Sequence, residues 1–510
     1  MKIWYTLARG SPFLSFEMKI WYIIAAALLL VVKGRGQEVT LRENITADTT
    51  WTADNVYVLA EQVFVKESAT LTIEAGVIIR ANRLGSRGYA PALIIEPGGK
   101  IRAMGTVSDP ITFTSNQEES VLPARGLWGG LIILGRAPTN MGDRDVIEGV
   151  PNVRFGGDDP SDSSGELHYV RVWYGGAELG EGNEINGITF GGVGSGTKVD
   201  HIEVAYNLDD GLEFFGGTVD FKYASVLCVG DDGIDTDEGY QGRGQFILVV
   251  LCKDGKTGSQ VLIDHAFEMD NNDEIGYAAQ PRTHPIISHA TLLGPGSAEA
   301  ECERNVKHRR MIHFREGIGG QFLNTIIQDS PAAVYFEHFE ASGAANFTQE
   351  SPQSYSVRHP DYLYFSPLNV MWRIDSPIYE DGDYTPQPTY LSEDPQLANA
   401  DPCIDGREDA RGGGFDPRPR VGGAAYRNID RTLPNDGFFD IVDYKGAFGQ
   451  ELWLRGWSWW DEMGKLPKIE DDVEQEVAAR EADATADATH RGALSTAAIM
   501  AGVLALLLVR

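Results

Sequence analysis

The sequence predicts an all-β chain folded as a parallel β-helix, a solenoid with coils of about 22 residues and a loop-rich C-terminal cap. The first observation is a repeat: "LTIEAG" begins at Leu71 and "LIIEPG" at Leu93, 22 residues further on. The second is a pair of acidic segments at the same spacing, "DDGLEFFGG" at Asp209 and "DDGIDTDEG" at Asp231. A fixed period in the twenties is typical of solenoids, in which each repeat stacks on the last.

Short β-rich runs between Gly and Asp residues form the repeats: "GITFGG", "HIEVAY", "LEFFGG", "ASVLCVG" and "QFILVVL". Such runs are typical of strands, and they leave little room for helices. Successive coils of a parallel β-helix lie about 4.8 Å apart, so equivalent residues stack directly. We therefore expect Leu71 and Leu93, with Ile73 and Ile95, to point inward in neighbouring coils.

The composition describes a large, strongly acidic chain. Its 510 residues are 42% hydrophobic, which is enough for a sizeable core, and 74 Asp and Glu against 43 Lys and Arg give a net charge of −31. Such a surface repels nucleic acid and anionic lipid, so neither is an expected partner. It suits cations or an extracellular setting.

The two ends of the chain are set apart from the fold. Residues 1–36 contain a basic start at Met18 followed by a short apolar run, and predict a secretory signal peptide with Met18 as an alternative start. Residues 37–460 are assigned to the β-helix with its cap, and residues 461–492 to an acidic stalk.

Residues 493–510 form a short hydrophobic tail after a polar spacer, the pattern of a glycosylphosphatidylinositol-anchor signal. A short membrane helix is the alternative. In either case we expect an extracellular protein held at the cell surface by its C-terminus.

Export agrees with two other features. Asn44 and Asn346 begin Asn-x-Thr sequons, the acceptor pattern for N-glycosylation. Four cysteines could pair in three ways; Cys228 and Cys252 lie about one coil apart, so that stacking could join them, and the other two are Cys302 and Cys403.

Several blocks resemble a known family. "DDGLEFFGGTVDFKYASVL", "GDDGIDTDEGYQGRGQF", "NEINGITFGGVGSGT", "QPRTHPIISHATLLG", "REGIGGQFLNTI" and "VDYKGAFG" occur in this order. They are similar to secreted bacterial-type right-handed parallel β-helix proteins of the pectin-lyase-like superfamily, over most of residues 50–460. The resemblance implies a right-handed β-helix, but it names no reaction, because the function of that family is largely unassigned.

The Asp-Asp-Gly triplets raise a choice between a metal site and solvated turns. If 22 residues make one coil, Asp209 lies over Asp231 and Asp210 over Asp232, and opposed like charges are unfavourable. Calcium takes six to eight oxygen ligands and would offset that repulsion. Asp-Gly pairs are also ordinary turn residues, and Arg243 could neutralise the acids instead. The candidate calcium ligands are Asp209, Asp210, Asp231, Asp232, Asp235 and Asp237.

An enzyme is the alternative interpretation. Asp209, Asp231 and Asp232 resemble the acidic motifs of polygalacturonase-type hydrolases, in which paired carboxylates about 6.5–9.5 Å apart perform inverting hydrolysis. The chain lacks Gly-His-Gly and Arg-Ile-Lys, which that family carries. A lyase would need an arginine base near calcium, and only Arg243 and Arg282 are at hand. A fold shared with enzymes does not confer their chemistry.

We therefore expect an adhesion, matrix or glycan-binding module with carbohydrate or matrix partners, and a polysaccharide-degrading hydrolase or lyase as the alternative. The histidines show no metal-ligand spacing and are read as structural. Trp453, Trp457, Trp459 and Trp460 are expected to bury the end of the solenoid.

Overall fold

The computed structural model describes most of the chain between its two apolar ends. The described residues are 36–86, 88–142, 146–147, 149–150, 153–177, 185–252, 264–272, 274–296, 310–337, 347–348, 351, 362–380, 388–400 and 414–468. Strands dominate this part of the chain, whose helices are α1 (Trp459–Glu462) and two 3-10 turns at Glu119–Val121 and Ala424–Tyr426. Of the predicted signal peptide, acidic stalk and anchor signal, the structure describes only residue 36 and residues 461–468.

The strands follow one another in parallel coils. In chain order they are β1 (Gln37–Leu41), β2 (Thr49–Trp51), β3 (Asn55–Leu59), β4 (Val63–Val65), β5 (Thr70–Ile73), β6 (Ile78–Ala81), β7 (Leu93–Ile95), β8 (Lys100–Met104), β9 (Ile111–Ser115), β10 (Leu131–Leu134), β11 (Gly165–Trp173), β12 (Ile188–Gly191), β13 (Lys198–Ala205), β14 (Leu212–Phe215), β15 (Asp220–Leu227), β16 (Ile234–Asp237), β17 (Arg243–Val250), β18 (Phe267–Met269), β19 (Ile286–Leu293), β20 (Arg310–Phe314), β21 (Gly320–Leu323), β22 (Ile326–Phe336), β23 (Phe347–Thr348), β24 (Leu363–Phe365) and β25 (Val370–Glu380). An antiparallel pair, β26 (Leu397–Asn399) and β27 (Asp416–Pro419), follows them.

Pairing between coils arranges these strands on three faces. Face 1 runs β2–β5–β8 and continues through the first halves of β11, β13, β15, β17 and β19. Face 2 runs β3–β6–β9 and continues through the second halves of the same long strands. Face 3 runs β4–β7–β10–β12–β14–β16–β18–β20–β22. The predicted right-handed parallel β-helix is confirmed.

The inward side of face 3 shows why these residues form a solenoid. One position of each strand points into the core, and its occupants stack from coil to coil with no solvent exposure: Val63, Leu93, Leu131, Ile188, Leu212, Ile234, Phe267 and Ile312. Branched and aromatic side chains fit a pleated, buried surface, so the column stabilises successive coils through burial.

The register expected for the first repeat is wrong. Leu71, on face 1, pairs with Ile101, whereas Leu93, on face 3, pairs with Val63 and Leu131. The two motifs resemble each other because each ends a strand with the same turn. Gly76 and Gly98 hold positive φ values of 79° and 84° there, which glycine adopts without a steric penalty. The repeated letters therefore mark a repeated turn on different faces.

Coil length varies along the chain. The expected 22-residue step holds between Leu212 and Ile234, but Phe267 and Ile312 are stacked neighbours 45 residues apart. The inward column of face 3 nevertheless continues without interruption, because Ile234 pairs with Phe267 and Phe267 pairs with Ile312.

An aromatic ladder follows the bend between faces 1 and 2. One residue per coil takes a positive φ at this bend: Tyr169, His201, Tyr223, Phe246 and His289. Their ring centroids are 4.3, 4.3, 4.9 and 5.6 Å apart in that order. A left-handed conformation is costly for these residues, and stacking offsets part of that cost.

The C-terminal segment 414–468, here called the strap, runs back along this flank. At Asp430 it lies beside Asn324, whose Oδ1 accepts the Asp430 backbone N–H at 2.8 Å, and at Trp457 it reaches Arg171, whose Nη1 donates to Trp457 O at 2.7 Å. Trp453 and Trp457 contact the ladder edge-on. The four tryptophans are buried as expected, but on the flank and not at the end of the solenoid, because the stacked aromatic rings lie there.

Candidate acidic site on face 3

Each Asp-Asp-Gly triplet leads into a strand of face 3, and its glycine is required by the neighbouring coil. A Cβ on Gly211 would lie 2.4 Å from Val226 Cγ1 and 2.5 Å from Gly233 O. The Gly211 N–H donates to Asp232 O at 2.9 Å. A side chain here would push adjacent coils apart, so the turn accepts only glycine without a shift.

The second aspartate of each triplet caps the next coil. Asp210 Oδ1 accepts the Asp232 backbone N–H at 2.8 Å, and Asp232 Oδ1 accepts the His265 backbone N–H at 2.5 Å. These carboxylates therefore bond to a stacked neighbour and not to their own turn. The donor lies 22 residues on for Asp210 and 33 residues on for Asp232, in each case in the next coil.

The triplets bring five carboxylates together, here called the acidic cluster: Asp209, Asp210, Glu213, Asp231 and Asp235. Oxygens of Asp209, Asp210 and Asp231 lie within 4.8 Å of one another, as do oxygens of Asp210, Glu213 and Asp235. Asp210 belongs to both groups. It is buried with Glu213, whereas Asp231 is exposed, so the cluster opens to solvent on one side.

The electrostatics of the acidic cluster are unfavourable for charged carboxylates alone. Burial raises the pKa of Asp210 and Glu213 well above their usual ranges, and neighbouring acids add to both rises. Burial, followed by the charges of Glu268 and Asp237, also raises the pKa of Asp235. A protein can relieve such repulsion by protonation or by a bound cation.

Unsatisfied oxygens face the same cluster. Asn186 Nδ2 donates to Glu213 Oε2, while its buried Oδ1 has no hydrogen-bond partner among the described residues. Asp235 Oδ1 is likewise buried without a hydrogen bond in this part of the chain. Buried polar atoms are nearly always satisfied, so each exception points to a missing partner. Carboxylate and amide oxygens are ligands that calcium accepts.

The structure separates the other expected ligands from this cluster. Asp232 turns towards His265, whose Nδ1 lies 2.9 Å from its Oδ1. Asp237 lies outside the two groups of carboxylates, although its charge raises the pKa of Glu213. Arg243 pairs with Asp220 and Asp436 on another face, so its suggested role as counter-ion to the triplets is wrong.

A second cluster follows along face 3, in the coils of β16, β18 and β20. It is here called the imidazole cluster: Asp232, His265, Glu268 and His313. His313 is in register with Glu268, and its Nδ1 lies 2.8 Å from Glu268 Oε1. Burial lowers the pKa of His265 to about 3. Burial would raise the pKa of Glu268, but the hydrogen bond from His313 and nearby positive charges lower it to about 2.

Sequence reasoning missed Glu213 and the two histidines for different reasons. Glu213 alternates with inward Leu212 and stands one 22-residue step before Asp235, so strand alternation could have found it. His265 and His313 lie in neighbouring coils with ring centroids 4.8 Å apart, in spite of a separation of 48 residues, which no fixed period reveals.

The remaining candidates lie apart from both clusters. Cys228 and Cys252 form a disulfide between adjacent coils, with Cα atoms 4.8 Å apart. Asn44 is exposed, and its Oδ1 accepts the Phe64 backbone N–H at 3.2 Å. Asn346, Cys302 and Cys403 lie outside the described residues. None of the helices in the described ranges is long and apolar enough to span a membrane.

Residues 43–362 match the family model described as a pectate-lyase like beta helix domain. The chain belongs to this family. The match covers the coils from the N-terminal strands to the beginning of β24, and both clusters lie within it. No curated protein and no solved structure matches the chain.

Proposed function

We propose that this chain is an extracellular, surface-anchored β-helix protein that binds calcium at the acidic cluster and binds acidic carbohydrate through that ion. The observation that carries the proposal is the convergence of Asp210, Glu213 and Asp235 within 4.8 Å, with their pKa values raised. Calcium–oxygen distances of 2.3–2.6 Å make a shell about 5 Å across. The carboxylates therefore have the separation that one calcium ion needs.

The carboxylates of the acidic cluster become more exposed towards one side, which supports a second ligand bound to the ion from solvent. Asp210 and Glu213 form a buried floor, while Asp209 is half-buried and Asp231 is exposed. An ion on this floor keeps coordination positions towards solvent, and the carboxylates of sugar acids can fill them. Membership of a pectate-lyase like family makes acidic polysaccharide the first class to test. The predicted signal peptide and the disulfide support an extracellular location.

Binding accounts for the geometry better than cleavage does. Asp209 and Asp231 have oxygens within 4.8 Å, closer than the roughly 6.5–9.5 Å of inverting hydrolases. Asp232 is buried against His265 and does not face a substrate. Arg243 lies on another face, and Arg282 is buried with its Nη1 donating to Tyr277 O at 2.9 Å. Neither arginine is placed as the base of a lyase.

The test combines ion binding with carbohydrate binding. Isothermal titration should show calcium binding to the wild type, and its loss in Asp210→Asn with Asp235→Asn. Asp200→Asn, on face 1, is the control and should bind calcium normally. Polygalacturonate should be retained by wild type with calcium and released by chelator. Retention of polygalacturonate that is unchanged by chelator and by the double substitution would contradict the proposal. Unsaturated or reducing products released from polygalacturonate would favour the enzyme alternative.

A further inference from the structure

The imidazole cluster brings two nitrogen donors and one oxygen donor, from His265, His313 and Glu268, within 4.8 Å of one another. His265 Nδ1 lies 2.9 Å from Asp232 Oδ1 and 3.9 Å from Glu268 Oε1. His313 Nδ1 lies 2.8 Å from the same Glu268 oxygen. The side chains of His265 and His313 are only 2% and 6% exposed. Three donor groups, from the turn before β18, from β18 and from β20, thus lie within 4.8 Å of one another on face 3. Asp232, in the turn before β16, adjoins them through His265.

Both imidazole rings have the same orientation relative to this point. Each directs Nδ1 towards Glu268 and Nε2 away from it. The outer nitrogen of His313 lies 2.9 Å from Glu337 Oε2. The buried Nε2 of His265 lies 3.4 Å from Asp264 Oδ1 and makes no hydrogen bond among the described residues. Metal-bound histidines almost always turn the other ring nitrogen to a carboxylate or carbonyl, which fixes the tautomer and the ring orientation. The Glu337 carboxylate on His313 is therefore an observation independent of the inner donors.

The distances between donors suit a small tetrahedral ion. Zinc binds nitrogen and carboxylate oxygen at about 2.0–2.2 Å, so tetrahedral ligands lie about 3.4 Å apart. The measured separations of 2.8 and 3.9 Å bracket that value. We propose that His265, Glu268 and His313 bind zinc or a similar late first-row divalent ion, with Asp232 as a positioning residue beside His265. Calcium is disfavoured here because it prefers oxygen ligands, whereas imidazole suits zinc.

The charges agree with a divalent ion. Asp232 and Glu268 together supply two negative charges for one doubly charged cation. Arg315 Nη1 donates to Glu268 Oε1 at 3.1 Å, while its Nε pairs with Asp270 at 3.2 Å. Arg315 therefore holds Glu268 in position, and Asp270 supplies that arginine with a carboxylate outside the proposed ligands.

The position explains why the solenoid would need such a site. Stacked strands here are separated by 33 residues from Ile234 to Phe267 and by 45 from Phe267 to Ile312, against 22 one coil earlier. Longer connections between strands raise the entropy cost of bringing those strands together. Ligands from the coils of β18 and β20, with Asp232 of the preceding coil beside His265, would join these coils at this point.

The test is metal analysis of the full chain, secreted without a histidine tag and dialysed against trace zinc. Wild type should hold about one zinc per chain by mass spectrometry, and cobalt exchange should give the strong visible bands of a tetrahedral site. His265→Gln and His313→Gln should lose the metal. Glu337→Gln should weaken zinc binding about 10- to 100-fold, as loss of an outer carboxylate does.

Two histidine variants are matched controls. His289→Gln changes a buried imidazole of the aromatic ladder, and His168→Gln changes the group of His168, Asp200 and His201 on face 1. Both should keep one zinc per chain. The proposal is overturned if folded wild type holds no zinc, or if His168→Gln removes it. Circular dichroism separates loss of metal from loss of fold, and Glu337→Gln, changed outside the buried ligands, keeps the test valid if the histidine variants do not fold.

Discussion

The outer side of face 3 carries opposite chemistry in two regions of the solenoid. One outward column runs through nine successive strands: Phe64, Ile94, Ile132, Thr189, Glu213, Asp235, Glu268, His313 and Tyr335. Its first three members are apolar, and Ile94 and Ile132 pack against Ile147, Val150 and Phe155 of a covering loop. Four of the later members are charged or imidazole side chains. The change occurs at Thr189, within one coil.

The comparison separates what the fold requires from what it permits. The inward column of face 3 stays hydrophobic from Val63 to Ile312, because every coil must bury it. Outward positions are free to vary, and each region buries them with a different partner. In the apolar region the partner is another part of the chain. In the acidic region buried oxygens remain unsatisfied, which is why we assign it to a cation.

The largest expected effect tests the apolar region. Ile132→Asp should lower the free energy of unfolding by about 4 kcal/mol or more, because it buries an unpaired carboxylate among hydrophobic side chains. Ile132→Val is the matched control and should cost about 1 kcal/mol. Denaturant unfolding measures both. A wild-type midpoint for Ile132→Asp would show that this column is not covered.

Glu203 is a buried carboxylate beneath the strap, and it belongs to neither of the two clusters. Glu203 Oε1 accepts the Trp459 N–H at 2.6 Å and the Trp173 Nε1–H at 3.0 Å, with Arg171 and Tyr174 facing it. Burial raises its pKa from 4.5 to about 7. The folded state therefore binds the extra proton, so this contribution to stability is complete below about pH 4.5 and is lost as pH rises through 7.

Glu203→Gln should remove that dependence. At pH 8 we expect the variant to be more stable than wild type by up to about 3 kcal/mol, and near pH 4 we expect the difference to vanish. Urea unfolding across this range gives the two slopes. Parallel slopes for the variant and wild type would contradict the assignment, and calcium should change neither.

A smaller effect is expected from the acidic cluster in the presence of chelator. The raised pKa values of Glu213 and Asp235 mean that stability is complete below their ordinary values and falls as pH rises. Glu213→Gln with Asp235→Asn should flatten this fall and raise stability at pH 8 by about 1 kcal/mol, since each opposed like-charge pair costs up to about that much. The same unfolding series, repeated with calcium, should reverse the order of variant and wild type.

The smallest effect is expected on the strap. Arg243 pairs with Asp436 at a partly exposed site, so Asp436→Asn should change the free energy of unfolding by less than about 1 kcal/mol. The change should shrink at high salt. A loss of several kcal/mol in urea unfolding would mean that the strap, and not the columns, holds the solenoid together.

The sequence was sufficient for the fold class and for one stretch of register. Alternating strands and turn glycines predict the β-helix, and the two triplets predict that Asp209 and Asp210 stack on Asp231 and Asp232. The repeat at Leu71 and Leu93 predicted the wrong register, because the same turn motif occurs on faces 1 and 3. The local pattern encodes turns, whereas register depends on how many residues separate the stacked strands.

The sites divide in the same way. The acidic cluster lies in coils of constant length, so spacing locates it. The imidazole cluster depends on steps of 33 and 45 residues between stacked strands, so its members have no regular spacing in the sequence. The sequence also did not predict the position of the strap, because no residue near Trp457 in the sequence indicates that it contacts the aromatic ladder.

Thermal unfolding with calcium and with chelator tests the central claim most directly. A cation bound by the folded state alone adds about 2.7 kcal/mol at a hundredfold excess over its dissociation constant. We predict a higher melting temperature for wild type in calcium, no such shift in Asp210→Asn with Asp235→Asn, and the full shift in Asp200→Asn. Identical wild-type melting temperatures in calcium and in chelator would contradict the account and leave these acids as capping and turn residues.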